Sequence, residues 1–312
     1  MDEKEIYLQQ KYVYEGFCEF LRWQIDSMCK ENKIELSFPI ECRVKSWESI
    51  QKKLTMHENL NWKELNDIAG IRVVTVFHED VERLEKILRD QYEVIKEEDK
   101  MSEQSESEFG YQSLHMDIML KSELEQTAGI KPYVGLQAEI QVRTAAQHIW
   151  AVASHELQYK TEDSTPKSLR RAVNRLSALL ELVDAEFSRL KEEKKTYVEK
   201  IKNDGKEEQT INATTLELIL DKFYPKENKK NDEPYSEVVE QLKALKITNP
   251  EELRKIISET MDKVMQRDKK MGKGRRFFAH VGLLRNAICI KYPDVTFEFN
   301  RVIRDGTIVW TR

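Results

Sequence analysis

An α/β fold with a mostly helical C-terminal region is predicted by three observations on this chain of 312 residues. Apolar, strand-like runs alternate with segments of helical period through the first half, the pattern of a sheet flanked by helices. From residue 167 onward the periodicity is mostly helical. Glycine (10) and proline (7) are scarce, which disfavours a turn-rich all-β architecture.

The elements follow in order. Residues 3–31 read as a helix, because Val13, Phe17, Leu21, Ile25 and Met28 recur at steps of three and four. A short strand pattern at 40–45 precedes a helical one at 46–56. Residues 68–77 are apolar on both alternating faces, as in a central strand covered on both sides. A helix at 79–89 and a strand at 92–96 come next, then an acidic stretch with Ser and Gln at 97–108 that reads as a mobile loop. Two further strands are expected at 110–120 and 135–143, then a helix from Thr144 to about Tyr159, with the core ending near residue 163.

The Ser164-Thr165-Pro166 turn opens a long helix over 167–202. Leu169, Val173, Leu176, Leu180, Val183, Phe187 and Leu190 form a heptad seam, extended by Tyr197 and Ile201. Such a helix spans roughly 50 Å. It either packs along its own domain or meets another helix or subunit, as in a homo-oligomer. Residues 203–210 read as a linker, and helical patterns return at 213–221, 235–245 and 250–266, where Pro250 suits a first turn. The run 267–276 is the most basic of the chain and reads as a solvated turn or an RNA-binding patch. The end, 277–312, mixes apolar and β-branched residues, with a hairpin expected at Arg304-Asp305-Gly306. Three regions result: 1–163, the helix 164–202, and a mostly helical accessory region 203–312.

Composition excludes several classes. Lys+Arg (51) nearly balance Asp+Glu (56), for a net charge of −5. That excludes a uniformly basic nucleic-acid coat but leaves room for a local basic groove. Hydrophobic residues at 40% suffice for a core. No run approaches the ~18 apolar residues of a membrane span, and the acidic N-terminus has no apolar signal core. Cys18, Cys29, Cys42 and Cys289 show no paired spacing, so a reducing cytoplasm is the simplest home.

The strand-like segments carry polar ridges. Arg43 and Lys45 alternate with Cys42 and Val44. Tyr111, Ser113, His115 and Asp117 share a face opposite Leu114, Met116 and Ile118. Gln137, Glu139, Gln141 and Arg143 lie opposite Ala138, Ile140 and Val142. A wetted sheet face explains any one ridge. Together, carboxylates, cations, an aromatic and a histidine suit a nucleotide cleft. Two carboxylates can hold Mg²⁺, and Arg and Lys can neutralise a polyphosphate.

Four segments then match one family. Arg43-Val-Lys45-Ser-Trp-Glu-Ser49-Ile-Gln-Lys-Lys53 resembles the Arg-x-Lys-x-x-x-Ser segment of the RelA/SpoT alarmone synthetases. Asp67-Ile-Ala-Gly70-Ile-Arg72 looks like their metal-binding segment, and Gly110-Tyr111-Gln112-Ser113-Leu114-His115 like their acceptor-nucleotide strand. Glu139-Ile-Gln141-Val-Arg143-Thr144, with His148, Trp150, His155 and Tyr159-Lys160, is similar to their second acidic motif and its helix. The four occur in family order over about residues 40–160.

The resemblance implies a nucleotidyltransferase-like mixed sheet and a GTP pyrophosphokinase that moves the β,γ-pyrophosphate of ATP to the 3′-hydroxyl of GDP or GTP. Arg43, Lys45 and Lys53 would hold ATP. Arg72 would steady its phosphates or the Asp67 carboxylate. Asp67 and Glu139 would ligate Mg²⁺, with Glu139 also placed to take the hydroxyl proton. Tyr111 would stack on the acceptor base, with His115 and Gln141 orienting it. His148 and His155 read as packing residues, and Trp150 and Tyr159 as core.

Two departures stand out. The loop before Tyr111 usually reads Lys-x-Asn-Gly-Tyr; here Ser107, Glu108 and Phe109 make it acidic, which repels a polyphosphate acceptor. Relatives that act as toxins modify adenosine nucleotides or the 3′ end of tRNA, so those acceptors stay open, as does a non-catalytic regulatory role. The family's hydrolase domain has no room before Arg43, and no His-Asp dipeptide is present, so synthesis without hydrolysis is expected.

Overall fold

The structure, a computed structural model, describes residues 2–56, 61–99, 113–127, 129–156, 166–204, 210–274, 276–298 and 301–311. Helix α1 (Glu3–Glu31) opens the chain, with Tyr7, Tyr14, Phe17, Cys18, Leu21, Ile25 and Cys29 buried along one face. Strand β1 (Glu41–Val44) and helix α2 (Trp47–Met56) follow, then β2 (Ala69–Thr75), α3 (His78–Gln91) and β3 (Glu93–Asp99). Strands β4 (Leu114–Met119) and β5 (Gln137–Thr144) complete a five-stranded mixed sheet of order β1-β2-β5-β4-β3. The pair β2–β5 is parallel; the other pairs are antiparallel.

The expected acidic loop begins later than its composition implied. Glu97 and Asp99 continue β3 because β4 offers a partner as far as Leu114. The remainder of that loop, Tyr111 and Tyr159 lie outside the described residues, as does the side chain of His155. Strand β2 is interior but not covered along its whole length: Gly70 and Arg72 stay half-open while Ile71, Val73 and Val74 are buried.

One face of the sheet and α1 share a core that includes Phe17, Leu21, Ile71, Met116 and Ile140. Gly16 brings α1 close to a one-turn helix at Lys131–Tyr133. An added Cβ there would lie 2.7 Å from the Tyr133 hydroxyl. The Tyr133 ring is itself wedged at 5.7 Å from both Phe17 and Phe20.

Helix α4 (Ala145–Glu156) leaves the end of β5, and α5 (Lys167–Asp204) follows. Trp150 belongs to a small core with Ala146 and Val173, against which Leu180 packs. Leu169, Leu176, Val183, Phe187 and Leu190 of the heptad seam are exposed, together with Leu179 and Leu182. The chain divides into two compact units at Glu192/Glu193, inside α5. The first part of α5 belongs with the sheet: Asp184 accepts a 2.6 Å hydrogen bond from Thr144, Ser188 donates to Glu79 at 2.8 Å, and Lys191 pairs with Asp80 at 3.2 Å.

The second unit has its own core, including Leu216, Leu220, Leu253, Ile257, Leu284 and Val302. It comprises α6 (Ala213–Phe223), α7 (Tyr235–Ala244), α8 (Pro250–Met271) and α9 (His280–Lys291). A three-stranded antiparallel sheet follows, β6 (Val295–Glu298), β7 (Arg301–Arg304) and β8 (Thr307–Thr311). The hairpin falls where expected, with both Asp305 (φ 49°) and Gly306 (φ 73°) left-handed, as a tight turn requires. The described part of the basic run, 267–274 and 276, begins in the last turn of α8 and continues into the turn beyond it. Fully buried Asp268 fixes that turn by accepting from the backbone N–H groups of Phe277 (2.9 Å) and Phe278 (2.7 Å). Among the described residues no helix is long and apolar enough to cross a membrane.

Candidate functional site

The polar ridges read from the sequence converge on one face of the five-stranded sheet. Cys42 and Val44 turn toward the core, so Glu41 and Arg43 present to the other side. The register places Arg43 opposite Gly70, Gly70 opposite Glu139, and Arg72 between Glu41 and Gln141. Glu41, Cys42, Arg43, Gly70, Arg72, Glu139 and Gln141 line a cleft of about 240 Å³. Gly70 is its floor. A Cβ there would make ordinary contacts with the Arg43 side chain, at 3.5 and 3.6 Å, and take up cleft space.

Helix α1 supports the cationic wall from behind. The Tyr7 hydroxyl donates to the backbone carbonyl of Lys45, and the Cys18 thiol donates to that of Arg43 at 3.5 Å. Tyr7 packs between Trp47 and Trp62, with centroids 5.6 and 5.5 Å away. Neither role is legible in the sequence, where Tyr7 lies outside the apolar spacing of the first helix and Cys18 reads only as an unpaired cysteine.

Asp67, just before β2, pairs through Oδ2 with the ammonium of Lys45 and with that of Lys53 at 3.0 Å. Burial would raise its pKa. Hydrogen bonds from Lys45 and Lys53 outweigh that cost and hold the carboxyl below its usual range. Glu139 is held similarly, 2.8 Å from His115 Nδ1 and 2.8 Å from the Gln141 amide nitrogen. Burial again opposes ionisation, and His115 and Gln141 overcome it.

Asp117 behaves differently. It pairs in register with Glu139 and accepts a 2.9 Å hydrogen bond from Asn66. Burial, with the charges of Glu139 and Asp67, raises its pKa despite Asn66. The sequence placed Asp117 on the site face, but its Asn66 partner is a contact that only the fold reveals.

The structure therefore gathers Arg43, Lys45, Lys53, Asp67, Arg72, His115, Glu139 and Gln141 on one sheet face and its margin. Of the two roles expected of Arg72, contact with Asp67 is not the one seen: its guanidinium pairs with Glu41 at 2.8 Å, because strand register sets those two side by side.

The donor set suits a hard cation. Asp67 Oδ1 is buried with no hydrogen-bond partner, and the nearby acidic groups offer oxygen alone. Among the described residues no three His, Cys, Asp or Glu side chains are placed to enclose a metal. The fit is thus to an ion held by one or two carboxylates, with other ligands from water and phosphate, as Mg²⁺ prefers.

A mixed α/β sheet with paired carboxylates beside a row of cations defines a nucleotide-polyphosphate-binding class of protein. Comparison with known proteins narrows the class. The family described as a region found in RelA / SpoT proteins matches residues 42–164. The chain is 32% identical over 165 residues to GTP pyrophosphokinase YwaC of Bacillus subtilis, covering 50% of this chain and 75% of that one. It is 30% identical over 145 residues to GTP pyrophosphokinase YjbM of the same organism, covering 46% of this chain and 64% of that one. The solved small alarmone synthetase 2 from Bacillus subtilis superimposes with a TM-score of 0.50 at 26% identity, covering 60% of this chain and 98% of that one. A GTP pyrophosphokinase family protein from Streptococcus pneumoniae shares the fold, with a TM-score of 0.51 at 24% identity over 62% of this chain and 95% of that one. The chain belongs to the RelA/SpoT family, in its small alarmone synthetase branch.

Proposed function

We propose that this protein is a GTP pyrophosphokinase that makes (p)ppGpp, transferring pyrophosphate from ATP to the 3′-hydroxyl of GDP or GTP. The observation that carries the reading is Asp67, clamped between Lys45 and Lys53 beside the cleft that Arg43, Gly70 and Glu139 line. The acceptor 3′-oxygen attacks the β-phosphorus, the bond between the α,β-bridging oxygen and the β-phosphorus breaks, AMP leaves, and the hydroxyl proton is lost.

Arg43, Lys45, Lys53 and Arg72 bind the ATP and offset its negative charge, while His115 and Gln141 orient the acceptor and Tyr111 stacks on its base. Such transfer needs positioning and charge stabilisation rather than a covalent nucleophile. Asp67 and Glu139 would hold Mg²⁺, which when bound supplies neutralisation of the transferring phosphates. A Glu139 carboxyl held below its usual range serves better as a fixed negative charge than as the base that removes the proton. A cytoplasmic location suits an enzyme that consumes ATP and GTP. The exposed part of the α5 seam suits a homo-oligomer contact. Leu176→Glu should then lower the mass measured by light scattering, and an unchanged mass would remove the oligomer from the reading.

A second reading rests on the acidic sequence Ser107-Glu108-Phe109 before Tyr111. It takes the acceptor to be an adenosine nucleotide or the 3′ end of tRNA. Purified protein, ATP labelled in the γ-phosphate and Mg²⁺ can be incubated with GDP, GTP, ADP or deacylated tRNA. Label should move to GDP and GTP with one AMP released per transfer. Transfer to tRNA or ADP alone would replace the first reading with the second. Absence of transfer to every acceptor, with Asp67→Ala matching wild type, would leave only a regulatory binding module.

A further inference from the structure

The second unit carries a positive surplus within an acidic chain. Residues 193–312 hold 25 Lys and Arg against 20 Asp and Glu. Two of its basic segments are bound side by side. The one-turn helix Lys226–Asn228 meets the turn beyond α8, where the Asn228 amide donates to the Phe278 carbonyl at 2.8 Å. The Arg276 guanidinium reaches the Asn228 side-chain oxygen at 3.3 Å and the Glu227 carboxylate. Asn228 and Asp268, which organise the two segments, are both buried, so the basic run stands on a fixed frame.

Six exposed lysines lie on these segments, Lys222, Lys226, Lys230, Lys269, Lys270 and Lys273. Among the described residues none of the six has an ion-pair partner. Neighbouring carboxylates are taken by other groups. Glu227 pairs with Arg276, Glu217 and Asp221 pair with Lys229, and Glu233 accepts from the backbone N–H groups of Lys230, His280 and Val281. Helix dipoles favour cations at Lys222, Lys269 and Lys270, each in a last helical turn, but give no reason for Lys230 or Lys273. Beside the lysines an aromatic ring is left open. Phe277 is 54% exposed although Asp268 fixes its backbone and its neighbour Phe278, at a centroid distance of 4.9 Å, packs on the second core. An exposed ring on a fixed backbone offers a stacking face at little entropic cost.

Free cations set beside an exposed aromatic suit a polyphosphate strand with unpaired bases. An anionic membrane calls for a continuous apolar face beside the cations, whereas the exposed large apolar side chains here are Met271 and Phe277. We propose that the basic turns of the second unit, with Phe277 beside them, bind single-stranded RNA, the lysines meeting successive phosphates and Phe277 stacking on a base. The surface lies outside residues 42–164 and outside the nucleotide cleft. Its RNA is a bound partner rather than an acceptor of pyrophosphate.

Fluorescence anisotropy of a labelled mixed-sequence single-stranded RNA of about 20 nucleotides, titrated with the full chain at several salt concentrations, tests this. Wild type should bind it more tightly than duplex RNA of the same length, whose bases cannot stack on Phe277. Lys269→Gln combined with Lys273→Gln should weaken binding and flatten the log–log salt dependence by about 0.7 for each lysine removed. Phe277→Ala should weaken binding about fivefold to a hundredfold with the salt dependence unchanged. These side chains are exposed, so the variants should melt as wild type does. Saturating α,β-methylene-ATP with Mg²⁺ should leave RNA affinity unaltered. Wild-type affinity in either variant, displacement of RNA by α,β-methylene-ATP, or tighter binding to polyglutamate or to phosphatidylcholine–phosphatidylserine vesicles than to RNA overturns the proposal.

Discussion

At the carboxylate end of the cleft, Asp67 is held by two ammonium groups and Glu139 by an imidazole and an amide. At the other end, where Val74 of β2 lies opposite Arg143, the Arg143 guanidinium is buried and its Nε meets no acceptor. Both ends bury charge: Asp67 and Glu139 are paired within the protein although Asp67 Oδ1 stays unpartnered, while Arg72 pairs with the exposed Glu41 and the Arg143 Nε meets no acceptor. The difference teaches how a buried charge is kept. A compensated carboxylate end stays ionised, whereas the Arg143 guanidinium is left without a counter-ion among the described residues.

The largest effect should come from the compensated end. Glu139→Gln keeps hydrogen-bonding capacity beside His115 and Gln141 but removes the charge, and should cut pyrophosphate transfer by ~10³-fold, the scale of losing one key electrostatic group. Transfer assays on a variant with unchanged Tm check this; activity within tenfold of wild type would break the distinction between the two ends. Next is Gly70→Ala, whose Cβ takes up the floor between Arg43 and Glu139 while meeting the Arg43 side chain only at ordinary contact distance. The KM for ATP should rise about tenfold to a hundredfold, equivalent to roughly 1.4–3 kcal/mol of lost binding. Steady-state kinetics with an unaltered melting curve is the supporting result.

Gly16→Ala sharpens the contrast from the core side. Its Cβ meets a Tyr133 ring wedged against two phenylalanines, so stability should fall by about 1–3 kcal/mol in urea unfolding. Asp184→Asn is the smallest change. Burial pushes the Asp184 carboxyl from its ordinary 3.8 up to about 7. The folded protein therefore binds a proton more tightly there than the unfolded chain, so this group's contribution is full below about pH 4 and is lost as pH rises toward 7. Melting temperatures across that interval should decline less steeply in Asp184→Asn, and parallel declines would show that Asp184 does not set the slope.

Much of this was legible in the sequence because strand alternation has a period of two and needs no knowledge of partners. Cys42 against Arg43, and Met116 against His115, announce which face is wet. The four motif segments place Asp67 and Glu139 together for the same reason, aided by family resemblance. What alternation cannot supply is register. Whether Arg72 meets Asp67 or Glu41 depends on how β1 slides along β2, and Asp117 finds Asn66 only once β4 lies in place beside β5. Helix α9 was also hidden. Val281, Leu283, Leu284, Ala287 and Ile288 are all buried, so the segment lacks the polar stripe that marks a surface helix. Gly282 further obscures it, although its missing side chain is what admits Phe278, whose atoms would lie 3.2–3.3 Å from an added Cβ. The basic run 267–276 advertises charge, yet the residue that organises it is the buried Asp268.

The most direct test is calorimetric titration of α,β-methylene-ATP, which cannot give up its pyrophosphate, into wild type and Asp67→Asn, each with and without Mg²⁺. If the polar sheet face holds the donor nucleotide with its metal at the Asp67 end, wild type binds markedly more tightly with Mg²⁺ and Asp67→Asn loses that metal dependence. Equal metal dependence in both proteins would contradict the assignment of the carboxylate end.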